Sequence, residues 1–210
     1  MLKENPQPNH ADFRELFRSS DRFDALIQNT NAFIESRRHF FPMEFQKSFT
    51  GRVFEEIGYL WFRARLKPHQ RLLDPDQTQE HFLDLYGGLP AHTLLQGGIL
   101  NEYLPDGLIL SDDEGQGSAV IVEYTAQDRN ARLPKYIHHK EEMVKVLRKR
   151  FPDSFGKGKL QIIFTHDVHR NIKRTRGVDQ RTTLTATPFN HDEVHAYAQE
   201  LIRVHFDLPE

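Results

Sequence analysis

The chain has 210 residues, 28% of them charged, and a formal net charge of −2, a composition that suits one globular domain with a sizeable core. It contains no cysteine, which excludes disulfides and thiolate metal sites. No run of about 18 apolar residues occurs and the first residues form no apolar signal segment, so a cytoplasmic protein with no membrane partner is expected.

Residues Met1 to Asn9 are polar with two prolines and read as a disordered lead-in. From about Ala11 to Ser36, Phe13, Leu16 and Phe17, then Phe23, Leu26, Ile27, Phe33 and Ile34, recur at helical spacing and predict a helical hairpin. Residues 1–48 are therefore taken as a helical extension and 49–210 as the main domain. A strong helix follows from Ser48 to about Arg65, with Val53, Phe54, Ile57, Leu60, Trp61 and Ala64 as its buried stripe. Glu55 and Glu56 lie off the centre of that stripe. An acid early in a helix is ordinarily solvated and favours the helix dipole.

Lys67 to Gly98 is a mixed region with one short helix near Thr78 to Tyr86, and Pro75-Asp76 reads as a turn. Ile99 to Tyr103 is predicted as a first strand, running into a hairpin from Leu104 to Thr125. Asp106 follows Pro105 at the opening of one hairpin strand, and Glu123 sits behind Ala119-Val120-Ile121-Val122 on the other. A strand this apolar is buried on both faces, where a carboxylate is costly unless compensated. Two acids brought together by a hairpin repel unless a cation lies between them. A hard divalent ion such as Mg2+, held by one or two carboxylates and substrate phosphates, meets that need.

The next helix, about Leu133 to Phe151, places Leu133, Tyr136, Ile137, Met143, Val144, Leu147 and Phe151 on one face. Lys140 falls within that face, whereas Lys135 projects to the opposite side. A lysine in an apolar stripe commonly snorkels to water, but this one looks toward the strand bearing Glu123. A buried strand, Leu160 to Phe164, a basic loop from His166 to Arg181, a β-prone segment Thr182–Thr187 and a last helix, Asp192 to Phe206, complete the chain.

Charge is unevenly distributed. Residues 129–181 hold 15 Lys and Arg against 5 Asp and Glu, a local +10, which leaves 13 basic against 25 acidic residues, or −12, elsewhere. A basic region downstream of an acid pair points to a polyanionic partner. Zinc and nucleotide-hydrolysis readings are unsupported: no HExxH pattern joins the 12 histidines, and Gly87-Gly88 and Gly97-Gly98 lack the Lys and Ser/Thr of a phosphate loop.

Gly51-Arg52-Val53-Phe54-Glu55, Pro105-Asp106 and Glu123-Tyr124-Thr125, in an αβββαβ order across about Gly51 to Phe164, resemble the PD-(D/E)XK nuclease superfamily. The resemblance implies an α/β, restriction-endonuclease-like fold, a mixed central sheet flanked by helices, and metal-dependent hydrolysis of phosphodiester bonds in DNA or RNA. One departure matters: Thr125 stands where the family's lysine would be. Some members, the cap-snatching endonucleases of segmented negative-strand RNA viruses among them, carry that lysine on the following helix. Lys140 would match it, with Lys135 as the alternative.

By this resemblance Asp106, Glu123, the Tyr124 carbonyl and Glu55 (or Glu56) would hold Mg2+ or Mn2+. Lys140 would position water or offset developing charge, and Thr125 would hydrogen-bond the nucleophile or a phosphate oxygen. Lys135, Lys145, Arg148, Lys149, Lys157, Lys159 and the Arg170–Arg176 cluster, with Lys173 and Arg174, would track the nucleic-acid backbone. The expected partners are nucleic acid and, as an allowed assembly, a second copy in a homodimer. The alternative is a catalytically silent module of the same fold that binds nucleic acid or a protein.

Overall fold

The computed structural model describes residues 10–36, 42–87, 104–111, 117–126, 133–166, 177–206 and 208. Helices α1 (His10–Arg18) and α2 (Asp21–Ser36) form the expected hairpin, and α3 spans Pro42–Arg63. Then come β1 (Gln70–Leu73), α4 (Pro75–Leu85), β2 (Gly107–Ser111), β3 (Val120–Thr125), α5 (Leu133–Arg150) and the short α6 (Pro152–Phe155). Strands β4 (Lys159–Phe164) and β5 (Thr182–Ala186) and helix α7 (His191–His205) close the chain.

The five strands form one open mixed sheet in sequential order. β1–β2 and β2–β3 pair antiparallel, as short connections allow, whereas β3–β4 and β4–β5 pair parallel, which requires a crossover such as α5. Alternating side chains feed two cores. Ile109, Val122, Tyr124 and Ile163 join α1, α2, α3 and α7 on one face. Leu108, Ile121, Leu160, Ile162 and Phe164 join α4, α5 and α6 on the other. The molecule is thus an α/β sandwich of three layers. Each fully buried apolar side chain, such as Phe17, Phe54 or Phe155, stabilises it by about 1.5–3 kcal/mol.

Three expectations need correction. Pro75-Asp76 is no turn: Asp74 caps α4, its side chain accepting from Gln77 N–H at 2.8 Å while the Gln77 side chain reaches back, and Pro75 sits in the first turn. The division at residue 48 falls inside α3, and Phe13, Phe17 and Leu26 share a core with Phe189, Val194 and Tyr197, so the first two helices belong to the main packing unit. β1 lies at Gln70–Leu73, a stretch read as part of a mixed region, while the strand expected at 99–103 lies outside the described residues.

Gly58 sets the spacing between α3 and the sheet. A Cβ there would stand 2.9 Å from Tyr124 Cδ1, so only glycine lets α3 approach β3 this closely. That approach brings Glu55, less than one turn earlier, to the end of β3.

Candidate active site

The β2–β3 register brings the two strand acids together. Gly107 lies opposite Val122 and Leu108 opposite Ile121, so the next pair outward is Asp106 and Glu123. Both share the α5 face of the sheet with Leu108 and Ile121. Glu123 is fully buried, and Asp106 is half-buried at the mouth of the sheet. Asp106 Oδ2 accepts from the Tyr124 N–H at 2.9 Å, which fixes its carboxylate beside the neighbouring strand.

Helix α5 supplies the cation. Lys140 Nζ stands 2.5 Å from Glu123 Oε2. One turn earlier, Tyr136 donates its hydroxyl to the same oxygen at 3.2 Å, and Lys140 Nζ lies 5.4 Å from the Tyr136 ring centroid. Residues four apart share a helix face, so the two side chains act on Glu123 as a pair. Lys135 is exposed on the other side of α5. The apolar stripe alone places Tyr136 in the core; its four-residue spacing from Lys140 is the sequence signal for its second role.

Glu55 and Glu56 have opposite assignments. Glu56 is held by Arg22, whose Nε and terminal nitrogen donate to its two oxygens at 2.7 and 2.8 Å. Glu55 faces the strand acids. Burial, and then the charge of Asp106, push its carboxyl from 4.5 up to about 8; Arg52 opposes the shift, and Glu56 and Glu123 add to it. Burial raises Asp106 against the opposing pull of Lys140 and the Tyr124 N–H. Burial likewise raises Glu123, although Lys140 and Tyr136 favour its charged form.

Three acids and one lysine leave an excess of negative charge that a proton or a bound cation would relieve. Among the described residues, no three His, Asp or Glu side chains gather closely enough to hold a metal ion by themselves. The donor set that fits is Asp106, Glu123 and the Tyr124 carbonyl, with Glu55 near, and water and phosphate oxygens completing the shell as Mg2+ prefers.

Two clefts flank this cluster, and Glu55 and Tyr124 form part of the wall of each. One, of about 250 Å³ between α3 and α7, is lined also by Lys47, Thr50, Gly51, Thr125, Ala126 and His191. The other, of about 180 Å³ beside α4, is lined also by Pro75, Asp76, Gln79, Leu104, Pro105 and Asp106. Thr125 is nearly buried, and among the described residues no hydrogen bond engages its hydroxyl.

The basic residues scatter. Lys145 and Lys149 lie on the outer part of α5, partly or fully exposed, with Lys145 2.6 Å from Glu142. Arg148 belongs to the fold instead: its Nε donates to Gly158 O at 2.9 Å and its head lies 3.6 Å from Asp179. Arg170, Lys173 and Arg174 lie outside the described residues. No described helix is long and apolar enough to cross a membrane.

Compared with family models, curated proteins and solved structures, the chain has no significant match.

Proposed function

We infer that the chain is a metal-dependent nuclease hydrolysing phosphodiester bonds of DNA or RNA, on a restriction-endonuclease-like core. The order α3, β1, β2, β3, α5, β4, with α4 inserted after β1, and β4 parallel to β3, supports that core. One observation carries the reading: Asp106, one residue outside the β2–β3 ladder, accepts from the Tyr124 N–H next to Glu123, and Lys140 meets Glu123 from the next helix. A structural ion pair needs one acid, not a second beside it and a third, Glu55, that burial and then the charge of Asp106 push up to about 8.

Mg2+ or Mn2+ held by Asp106, Glu123 and the Tyr124 carbonyl would supply a water of lowered pKa and charge stabilisation at the phosphate. The chain's own groups do the rest. In its deprotonated form Glu55, whose carboxyl burial and then the charge of Asp106 push up to about 8, can accept a proton from water at the mouth of the sheet. Lys140, anchored by Glu123 and the Tyr136 ring, places positive charge where the phosphate oxygens gain negative charge. Thr125 offers its hydroxyl to the substrate at the end of β3.

A second reading, a silent nuclease-like module that binds nucleic acid, rests on Thr125 in place of a strand lysine and on the engagement of Lys140 by Glu123. Incubation with labelled single- and double-stranded DNA and RNA plus Mn2+, beside Asp106→Ala and Lys140→Ala, separates the two. Cleavage abolished by both substitutions supports the enzyme; cleavage surviving both removes this site. Binding without cleavage of any substrate supports the silent module.

A further inference from the structure

The two clefts differ in chemistry although they share a wall. The α3–α7 cleft carries Lys47 and His191 and offers a cationic or hydrogen-bonding lining. His191 packs on a ring that is itself held: the Thr50 hydroxyl donates to Gln46 O at 3.0 Å and stands 3.0 Å from His195 Nδ1. His195 in turn stacks on His191, with ring centroids 5.9 Å apart and planes 9° apart. Asp192, wholly exposed, lies 3.6 Å from His191 Nδ1.

The α4 cleft has the reverse character. Pro75, Leu104 and Pro105 give it apolar walls, Gln79 offers an amide, and Asp76 and Asp106 repel phosphate. A phosphate is favoured on one side of Glu55, and an uncharged planar group on the other.

We propose that the site engages single-stranded nucleic acid, with a backbone phosphate in the Lys47–His191 cleft and an unpaired base in the Pro75–Leu104–Gln79 cleft. Because Glu55 and Tyr124 border both clefts, the two groups belong to neighbouring positions of one strand crossing the acid cluster. A base paired and stacked in a duplex presents only its edge, and reaching a pocket of about 180 Å³ requires leaving the stack. An unpaired base enters without that cost, packs on the apolar walls, and meets the Gln79 amide with its hydrogen-bonding edge. The inference rests on the nuclease reading for the identity of the strand, and its test does not require cleavage.

The test is fluorescence anisotropy with the full chain in EDTA, using a labelled single-stranded oligonucleotide, the same sequence as a duplex, and an abasic single strand. The single strand is expected to bind about 10-fold more tightly than the duplex. Lys47→Ala with His191→Ala should weaken single-strand binding about 10-fold and flatten its salt dependence. Gln79→Ala should weaken the base-bearing strand and leave the abasic strand unchanged. Equal or tighter binding of the duplex, or single-strand affinity indifferent to Lys47 and His191, overturns the proposal. Single-strand binding with no cleavage in Mn2+ leaves it standing and removes the nuclease reading. Cleavage confined to duplexes does the opposite.

Discussion

Two buried acid–cation groups lie on either side of α3's neighbouring glutamates, and they are built on different plans. At Glu56, Arg22 meets both carboxylate oxygens, and its remaining nitrogen lies 3.8 Å from Asp74 and 3.9 Å from Asp76. The guanidinium also covers the Tyr59 ring at 5.5 Å. This group ties α2, α3 and α4 together. At Glu123, Lys140 and Tyr136 converge on one oxygen, Asp106 lies at the start of the neighbouring strand, and Glu55 borders the two clefts. A planar fork suits a closed structural clasp, whereas a point-like ammonium does not close on both carboxylate oxygens at once. Adjacent helix positions differ by about 100°, so Glu55 and Glu56 reach one group each.

The sharpest break between the two groups is in catalysis. Asp106→Ala and Lys140→Ala should each lower the rate of Mn2+-dependent cleavage on the order of 10²–10³-fold, a loss typical of removing a group that stabilises developing charge. Arg22→Ala, measured per folded molecule, should leave that rate unchanged. Equal losses in all three variants would make the Lys140 group merely structural.

Stability separates the groups in the other direction. Arg22→Ala leaves Glu56 nearly buried without its partner and should cost about 3 kcal/mol in urea unfolding. Glu56→Gln should cost less, because the amide oxygen still accepts from Arg22 and Asp74 and Asp76 still face the guanidinium. A loss of under about 0.5 kcal/mol for Arg22→Ala would place this pair among ordinary surface ion pairs.

Which of these features were legible in the sequence follows from their range. Asp106 and Glu123 are apposed by a hairpin whose alternation is local, and Lys140 stands in a stripe of 3.6-residue period, so both could be read from spacing. The Arg22–Glu56 clasp joins residues 34 positions apart on different helices, and no local pattern announces it. β1 is four residues long with apolar side chains only at Leu72 and Leu73, too short for alternation to stand out; it exists because β2 offers an edge to pair with. The start of α4 is legible as well: Asp74-Pro75-Asp76-Gln77 holds a cap, a first-turn proline and a capping-box glutamine, which together outweigh the turn preference of an isolated Pro-Asp pair.

The burial of Glu55 beside the strand acids should also appear as pH-dependent stability without metal. Glu55 keeps its proton up to about 8 in the folded chain against 4.5 when unfolded, so between those values the folded state holds the extra proton. Stability therefore falls as pH rises through that window, the reverse of a salt-bridged carboxylate. Thermal unfolding in EDTA should show a midpoint declining from pH 5 to pH 8, and Glu55→Gln should flatten the decline. Mn2+ at pH 8 should raise the midpoint by binding the folded state alone. A profile that rises with pH in EDTA, or is unmoved by Glu55→Gln, would show that neither burial nor the neighbouring acids raise Glu55 in the folded chain.

The smallest expected effect concerns Tyr136, which divides the work of holding Glu123 with Lys140. Its hydroxyl bond at 3.2 Å is long, while Lys140 stands at 2.5 Å on the same oxygen. Tyr136→Phe keeps the ring beneath the ammonium and removes only the hydroxyl, so a loss of about 1 kcal/mol in stability is expected. Cleavage should fall by less than about 10-fold, because the cation–ring contact still aims Lys140. Tyr136→Leu removes the ring as well and should slow cleavage further at similar stability. If the Phe and Leu variants are equally slow, the hydroxyl, and not the ring, orients the lysine, and Glu123 is held by two donors of comparable weight.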